Sequence, residues 1–285
     1  MNYLSDHVQL NPGPETGSNN SLFGELRSVT SYGRRFVSIE HSNVRGLLRN
    51  LPERKLLTKQ TKLDILIFSE TNLTENVLDN GVFINGYQLL LSNRCGKASG
   101  GVAIYSKDNL NCVRITKYDV PNLEAIWIEV TWISQRLFVG CVYRPPDCTD
   151  FFGKFHSVVE KMWQSKKNVV MVGDLNADQL SSNWNGSKLK RICQAFNFQI
   201  VIHNPKRIAA TSSTLRDLIL TNNLPKIFKS GVSDNIIADH KFVFTVFMFK
   251  KQNEEVYTFR KLTESKQDWF SACTGKCSMA GVLCL

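Results

Sequence analysis

The sequence predicts an α/β fold, and two observations predict it. The stretch Asn168-Val169-Val170-Met171-Val172-Gly173-Asp174-Leu175-Asn176 is an apolar run of strand length that stops at a glycine and then presents a carboxylate and a carboxamide. Four further segments end the same way, on Asn43, Glu70, Tyr143 and Asp239-His240. A buried strand tolerates no charge in its middle, so an α/β protein places reactive groups at strand ends.

In chain order, Phe36 to Asn43 alternates like a half-buried strand and ends on Asn43. Leu63 to Glu70 is a buried run, with Glu70 as its terminal carboxylate. Leu137 to Tyr143 is a third strand, stopped by Arg144-Pro145-Pro146. Asn168 to Asp174 is the fourth. If the backbone stays strand-like past Gly173, residues two apart point the same way, and Asp174 and Asn176 address one site. Ile236 to His240 precedes Phe242 to Phe249, a long core strand.

These ends supply carboxylates, carboxamides, a phenol and an imidazole. Oxygen ligands of that kind suit magnesium rather than zinc. An adjacent imidazole and carboxylate suit water activation. Taken singly, each residue has an ordinary structural explanation as a cap, a turn or a buried histidine. The ordered set is what points to a site.

Asn43, Ser69-Glu70-Thr71, Tyr143-Arg144-Pro145-Pro146, Gly173-Asp174-Leu175-Asn176 and Asp239-His240 resemble, in order, the motifs of the endonuclease/exonuclease/phosphatase superfamily. Within it, Asn43 to Leu47, Ser99 to Tyr105, Glu124 to Ile128 and Ser213 to Ile219 resemble the apurinic-type endonuclease domain of LINE (non-LTR) retrotransposons. The resemblance spans about Arg35 to Phe249. It implies a four-layer α/β sandwich, with two mixed β-sheets flanked by helices, and a metal-dependent enzyme that nicks DNA.

The resemblance also implies roles. Glu70 is similar to the principal magnesium ligand, with Asn43 and Asp239 on the metal side and manganese as an alternative ion. Asp174 is similar to the group that activates water or protonates the leaving oxygen. Asn176 would orient water or phosphate, and Tyr143 would donate to a phosphate oxygen. His240 would contact the scissile phosphate or act as base, held by Asp217. Arg94, Lys97 and Arg144 are the candidate contacts to the DNA backbone. Two positions depart from the family pattern: Ala238 replaces a serine before Asp239-His240, and Arg216 stands where an apolar residue is usual.

The expected organisation is a leader over residues 1–34, an endonuclease/exonuclease/phosphatase domain over 35–249, and a connector remnant with unrelated tail over 250–285. In the leader, His7 to Pro14 resembles a 2A-type ribosome-skipping peptide with an intact Asn11-Pro12-Gly13-Pro14 core. Its usual acidic positions carry His7 and Gln9, and too few residues precede it for the upstream helix, so it is expected to be inactive. Tyr257 to Lys261 resembles the connector to a reverse transcriptase, yet no Tyr-x-Asp-Asp occurs, so that polymerase of the parent element is expected to be absent.

At 285 residues and 42% hydrophobic, the chain can bury one large core. It has no apolar run near 20 residues and no signal-peptide h-region, so no membrane association is expected. Eight unevenly spaced cysteines predict reduced, intracellular thiols, with a zinc site at Cys273, Cys277 and Cys284 disfavoured for want of a fourth ligand. The net charge of +10 predicts a polyanionic partner, DNA, and hence a nuclear location; no obligate protein partner is evident. Lys166-Lys167, Lys188-Lys190-Arg191 and Lys206-Arg207 are expected in connecting segments that could flank Asp174. Two other readings stay open: a superfamily phosphodiesterase acting on RNA or small phosphoesters, and a decayed relic that binds nucleic acid without cutting, suggested by Ala238, Arg216 and Pro52 in a helical stretch.

Overall fold

The computed structural model describes residues 35–74, 79–93, 99–181, 183–203, 207–209, 212–233 and 242–251. The 2A-like leader, Arg94, Lys97, Lys206, the Ala238-Asp239-His240 corner and the tail cysteines lie outside them.

Strand β1 (Phe36–Asn43) leads through helix α1 (Leu47–Thr61) to β2 (Ile65–Ser69), then β3 (Tyr87–Ser92), β4 (Val102–Lys107), β5 (Cys112–Arg114) and β6 (Glu124–Trp132). Strand β7 (Gln135–Tyr143) leads through α2 (Phe151–Gln164) to β8 (Asn168–Asp174), and α3 (Trp184–Ala195) follows. Five strands come next: β9 (Gln199–Ile200), β10 (Arg207–Ala209), β11 (Ser212–Thr214), β12 (Asp217–Thr221) and β13 (Ile227–Val232). Strand β14 (Val243–Met248) completes the set.

Two six-stranded sheets result, ordered β13-β14-β1-β2-β4-β3 and β5-β6-β7-β8-β12-β9, with β10 and β11 as a separate ribbon. Each sheet has the same centre. A parallel pair joined by a helix, β1 with β2 or β7 with β8, is flanked on both sides by antiparallel strands. Parallel pairs need a crossover, and the helices provide it.

The layers follow from residue alternation. Val37, Ile39, Ile65, Ile67, Val102 and Ile104 of the first sheet share a core with Val139, Val170 and Val172 of the second. Their neighbours Leu66, Phe68, Ala103 and Tyr105 turn the other way and pack with Leu47, Leu51 and Leu57 of α1. On the far side of the second sheet, Phe151, Phe155, Val158 and Met162 of α2 join the core with Leu189 and Ile192 of α3. This is the four-layer sandwich, helix on sheet on sheet on helix.

Strand β1 departs from expectation: all eight of its residues are buried, not half of them. It is an interior strand, and Glu40 and Ser42 lie on the face toward α1. There Arg54, 1% exposed, donates to Ser42 Oγ at 3.0 Å and lies over the Phe68 ring. Burial lowers the Arg54 guanidinium pKa, with Glu40 and then Glu53 opposing. Helix α1 continues through Pro52, and Asn50 Nδ2 ties its start by donating to Val44 O at 2.6 Å.

Candidate active site

Along the inner face of each central strand, apolar residues give way to polar ones at the same end. In β1 the order is Val37, Ile39, then His41 and Asn43; in β2 it is Ile65, Ile67, then Ser69, with Glu70 next. In β7, Val139 and Cys141 lead to Tyr143, and in β8, Val170 and Val172 lead to Asp174. The inter-sheet layer is therefore dry through its body and polar at one rim.

Asn43 is the hub of that rim. Its Nδ2 donates to Glu70 Oε1 at 2.7 Å and to Asp174 Oδ2 at 2.9 Å, so one amide bridges carboxylates from the two sheets. Its Oδ1 accepts the Arg45 N–H at 3.2 Å. Tyr143 Oη donates to Glu70 Oε1 at 3.2 Å. Burial first, then the charges of Glu70 and Asp174, push the Tyr143 phenol far above its usual range, so it remains a neutral donor.

The loops that present these groups are held in unusual backbone conformations. Glu70, Asn72 and Asn176 have φ of 53, 51 and 45 degrees. Each left-handed non-glycine residue costs about 1–3 kcal/mol, and such strain persists where the surroundings over-determine it. Here they do. Gly46 N donates to Glu70 O at 2.8 Å, and Asn72 N donates to Gly100 O at 2.9 Å while Asn72 Oδ1 accepts Gly100 N at 2.9 Å. Gly101, with φ 83, leaves no room for a side chain, because a Cβ would come within 2.7 Å of Thr71 Oγ1. Its N–H donates to Glu124 Oε2 at 2.7 Å, and Glu124 pairs with Tyr143 across β6 and β7.

Asn176 does not continue a strand. The chain turns: Asp174 Oδ1 accepts Asn176 N at 3.0 Å, and Asn176 Nδ2 donates to Arg144 O at 2.7 Å. A carboxylate closing its own turn two residues on is a common aspartate geometry. The Asn176 amide nitrogen thus locks the loops after β7 and β8 together. Arg144, expected on the surface as a DNA contact, is 5% exposed. Its guanidinium donates to Asn176 O at 3.3 Å and Cys148 O at 3.2 Å, and lies over the Phe152 ring. It braces the loops from within.

Asp217 lies opposite Asp174 in the β8–β12 register. Its Oδ1 is 3.1 Å from His41 Nδ1, and His41 Nε2 is 3.1 Å from Ser69 Oγ. His41, wholly buried, thus links the two sheets beneath Asn43. Sequence reasoning assigned no site role to His41 or to Glu124, although Glu124 opens one of the family-like segments. His41 stands two residues before Asn43 on one strand face, which was the available signal. Arg216 is exposed. Asp178, which burial pushes up, is held below its ordinary range by the Leu215 and Leu180 N–H groups, with Ser181 and Arg216 assisting. Lys166 and Lys167 precede β8, so they sit at the end opposite Asp174 rather than beside it. Lys188, Lys190 and Arg191 belong to α3 rather than to a connecting segment.

No group of three or more His, Cys, Asp or Glu arranged to hold a metal occurs among the described residues. Glu70 and Asp174 nonetheless meet at one amide, in a set that offers only oxygen. Magnesium typically takes one or two protein carboxylates and completes its shell with water and phosphate, so the residues fit such an ion. Asn43 now turns its nitrogen to the carboxylates; rotation of the amide would present Oδ1 instead.

Residues 40–240 match the endonuclease/exonuclease/phosphatase family. The chain belongs to that family. No curated protein matches it in sequence. Among solved structures of the fold, the endonuclease domain of TRAS1, a telomere-specific non-LTR retrotransposon, is 15% identical with a TM-score of 0.60, over 75% of this chain and 100% of that one. An AP endonuclease from Leishmania major is 12% identical with a TM-score of 0.65, over 82% and 96%. The 3'-5' exonuclease NExo from Neisseria meningitidis is 16% identical with a TM-score of 0.56, over 75% and 100%. Among the described residues, the endonuclease/exonuclease/phosphatase sandwich of this chain brings Asn43 and Glu70 of one sheet and Tyr143 and Asp174 of the other to one rim.

Proposed function

We propose that the chain is a magnesium- or manganese-dependent DNA endonuclease that hydrolyses phosphodiester bonds, of the apurinic type carried by LINE retrotransposons. The observation that carries this reading is the Asn43 bridge between Glu70 and Asp174 at the rim of the two sheets. The order of motifs around it, and the fold shared with the TRAS1 domain and the AP endonucleases, support the nuclease class.

Glu70 and Asn43 would hold the ion, with Asp239 completing the set. When bound, the ion supplies positive charge that offsets the anionic phosphate. Asp174, fixed by Asn43 and by the Asn176 turn, holds an acceptor toward water or returns a proton to the leaving oxygen. Tyr143, kept neutral, donates to a phosphate oxygen where negative charge accumulates. Asn176 and Arg144 keep the Asp174 loop against β7. His41 positions Asp217, which faces the same rim, and His240 would act there on the phosphate.

The substrate class is tested by comparing initial rates on supercoiled DNA, an abasic-site duplex, single-stranded RNA and a small phosphomonoester, with magnesium at neutral pH. Faster cleavage of a DNA substrate than of RNA or the monoester is expected. Preference for RNA or the monoester would replace DNA with that substrate, and no cleavage of any would leave the relic that only binds.

A further inference from the structure

A groove of about 710 Å³ opens at the end of the first sheet away from the catalytic rim. One wall is the side of α1 that carries Lys55 and Lys59, continued by Lys62 just after the helix; the other carries Phe83, which is 53% exposed. Lys55 and Lys59, four apart, share one helix face about 6 Å apart along the axis, and Lys62, the residue that caps the helix with φ 52, extends the basic wall past its end. Lys107 also lines the groove, but its charge is committed to Asp64 at 2.7 Å. Asp108 is the one acid lining it among the described residues. Three lysines therefore face one carboxylate.

This groove cannot serve the scissile phosphate. Lys62 precedes β2 and Glu70 follows it, so strand rise puts the two sites roughly 20 Å apart. Its chemistry selects an occupant. Ammonium groups neutralise phosphates as point charges, and among the described residues no arginine lines the groove to fork onto a carboxylate. A largely exposed phenyl ring offers a face for a base. An acidic peptide would satisfy the lysines and leave Phe83 unused, and a duplex keeps its bases stacked inside. We propose that this groove binds single-stranded nucleic acid, with phosphates along Lys55, Lys59 and Lys62 and one unstacked base against Phe83. The site does not depend on the nuclease reading, because none of its residues touches the carboxylate rim.

The test is fluorescence anisotropy of a labelled thymidine 12-mer with the full chain, in EDTA, across a salt series. Lys55→Gln with Lys59→Gln should flatten the plot of log affinity against log salt by about 1.4, the contribution of two phosphate contacts on a single strand. Phe83→Ala should weaken binding roughly fivefold or more and leave the slope unchanged, and Phe83→Trp should restore it. All these side chains are at least partly exposed, so unchanged thermal midpoints accompany both effects. Binding unchanged in both variants overturns the proposal. So does a lysine effect without a Phe83 effect, which marks a merely basic surface. So does an equal loss for a duplex of the same length.

Discussion

At the scale of single residues, the site is an arrangement of negative charge held by few donors. Glu70 shares the Asn43 amide with Asp174 and the Tyr143 hydroxyl with no other described carboxylate. Glu70→Gln should therefore abolish magnesium-dependent nicking while the thermal midpoint without metal stays the same or rises, because one of two facing charges is gone. Full activity in that variant would remove Glu70 from the metal. Tyr143→Phe is a separate case. The phenol is pushed above its usual range and stays protonated through neutral and mildly alkaline pH. The variant should lose rate by roughly a hundredfold, at the low end of the span of a single transition-state donor, with no shift in the limbs of the pH profile. A displaced alkaline limb would show that Tyr143 titrates during turnover.

At the scale of elements, strand ends place the chemistry, and two glycines permit it. A Cβ on Gly173 would lie 1.8 Å from Val142 O, a backbone atom that cannot swing aside. Gly173→Ala should cost on the order of 1–3 kcal/mol in urea unfolding and also displace Asp174. A fully stable, fully active Gly173→Ala protein would mean that β7 and β8 part more easily than their packing implies. The same elements mark what could be read from sequence. The polar ends at Asn43, Glu70, Tyr143 and Asp174 were legible because apolar runs stop abruptly there, while Asp239-His240 lies outside the described residues. Burial of β1 on both faces was not, because Glu40 and Ser42 look solvent-facing until Arg54 of α1 covers them, as Ser38 does until Asp64 bonds it. The Asn176 turn and the inward Arg144 were likewise hidden, since both depend on a contact between loops distant in sequence. His41 was obscured because its partners, Ser69 and Asp217, come from separate strands.

At the scale of the whole molecule, the dry layers hold neutral groups that resist ionisation. Burial pushes the Cys193 thiol up to about 12, and raises the Cys141 thiol and Tyr105 phenol further still. Raised folded-state values mean the folded protein keeps protons that the unfolded chain releases. Their contribution to stability is complete below the unfolded values of 9.0 for thiols and 10.0 for the phenol and is lost as pH rises past them. Urea midpoints should be flat near neutrality and fall from about pH 9 upward; a midpoint constant to pH 11 would contradict this core. The sandwich also explains the economy of the site, since two similar sheets each bring a parallel pair of strand ends to one rim.

The central claim is that this rim cuts DNA rather than only holding it, and conversion of supercoiled plasmid to nicked circle measures it most directly. The parent protein should nick with magnesium and not in EDTA. Asp174→Asn, which changes a proton-transfer group and little else, should nick on the order of a hundredfold more slowly while binding the plasmid as tightly. A parent protein that binds plasmid yet nicks it no faster than Asp174→Asn would contradict the account.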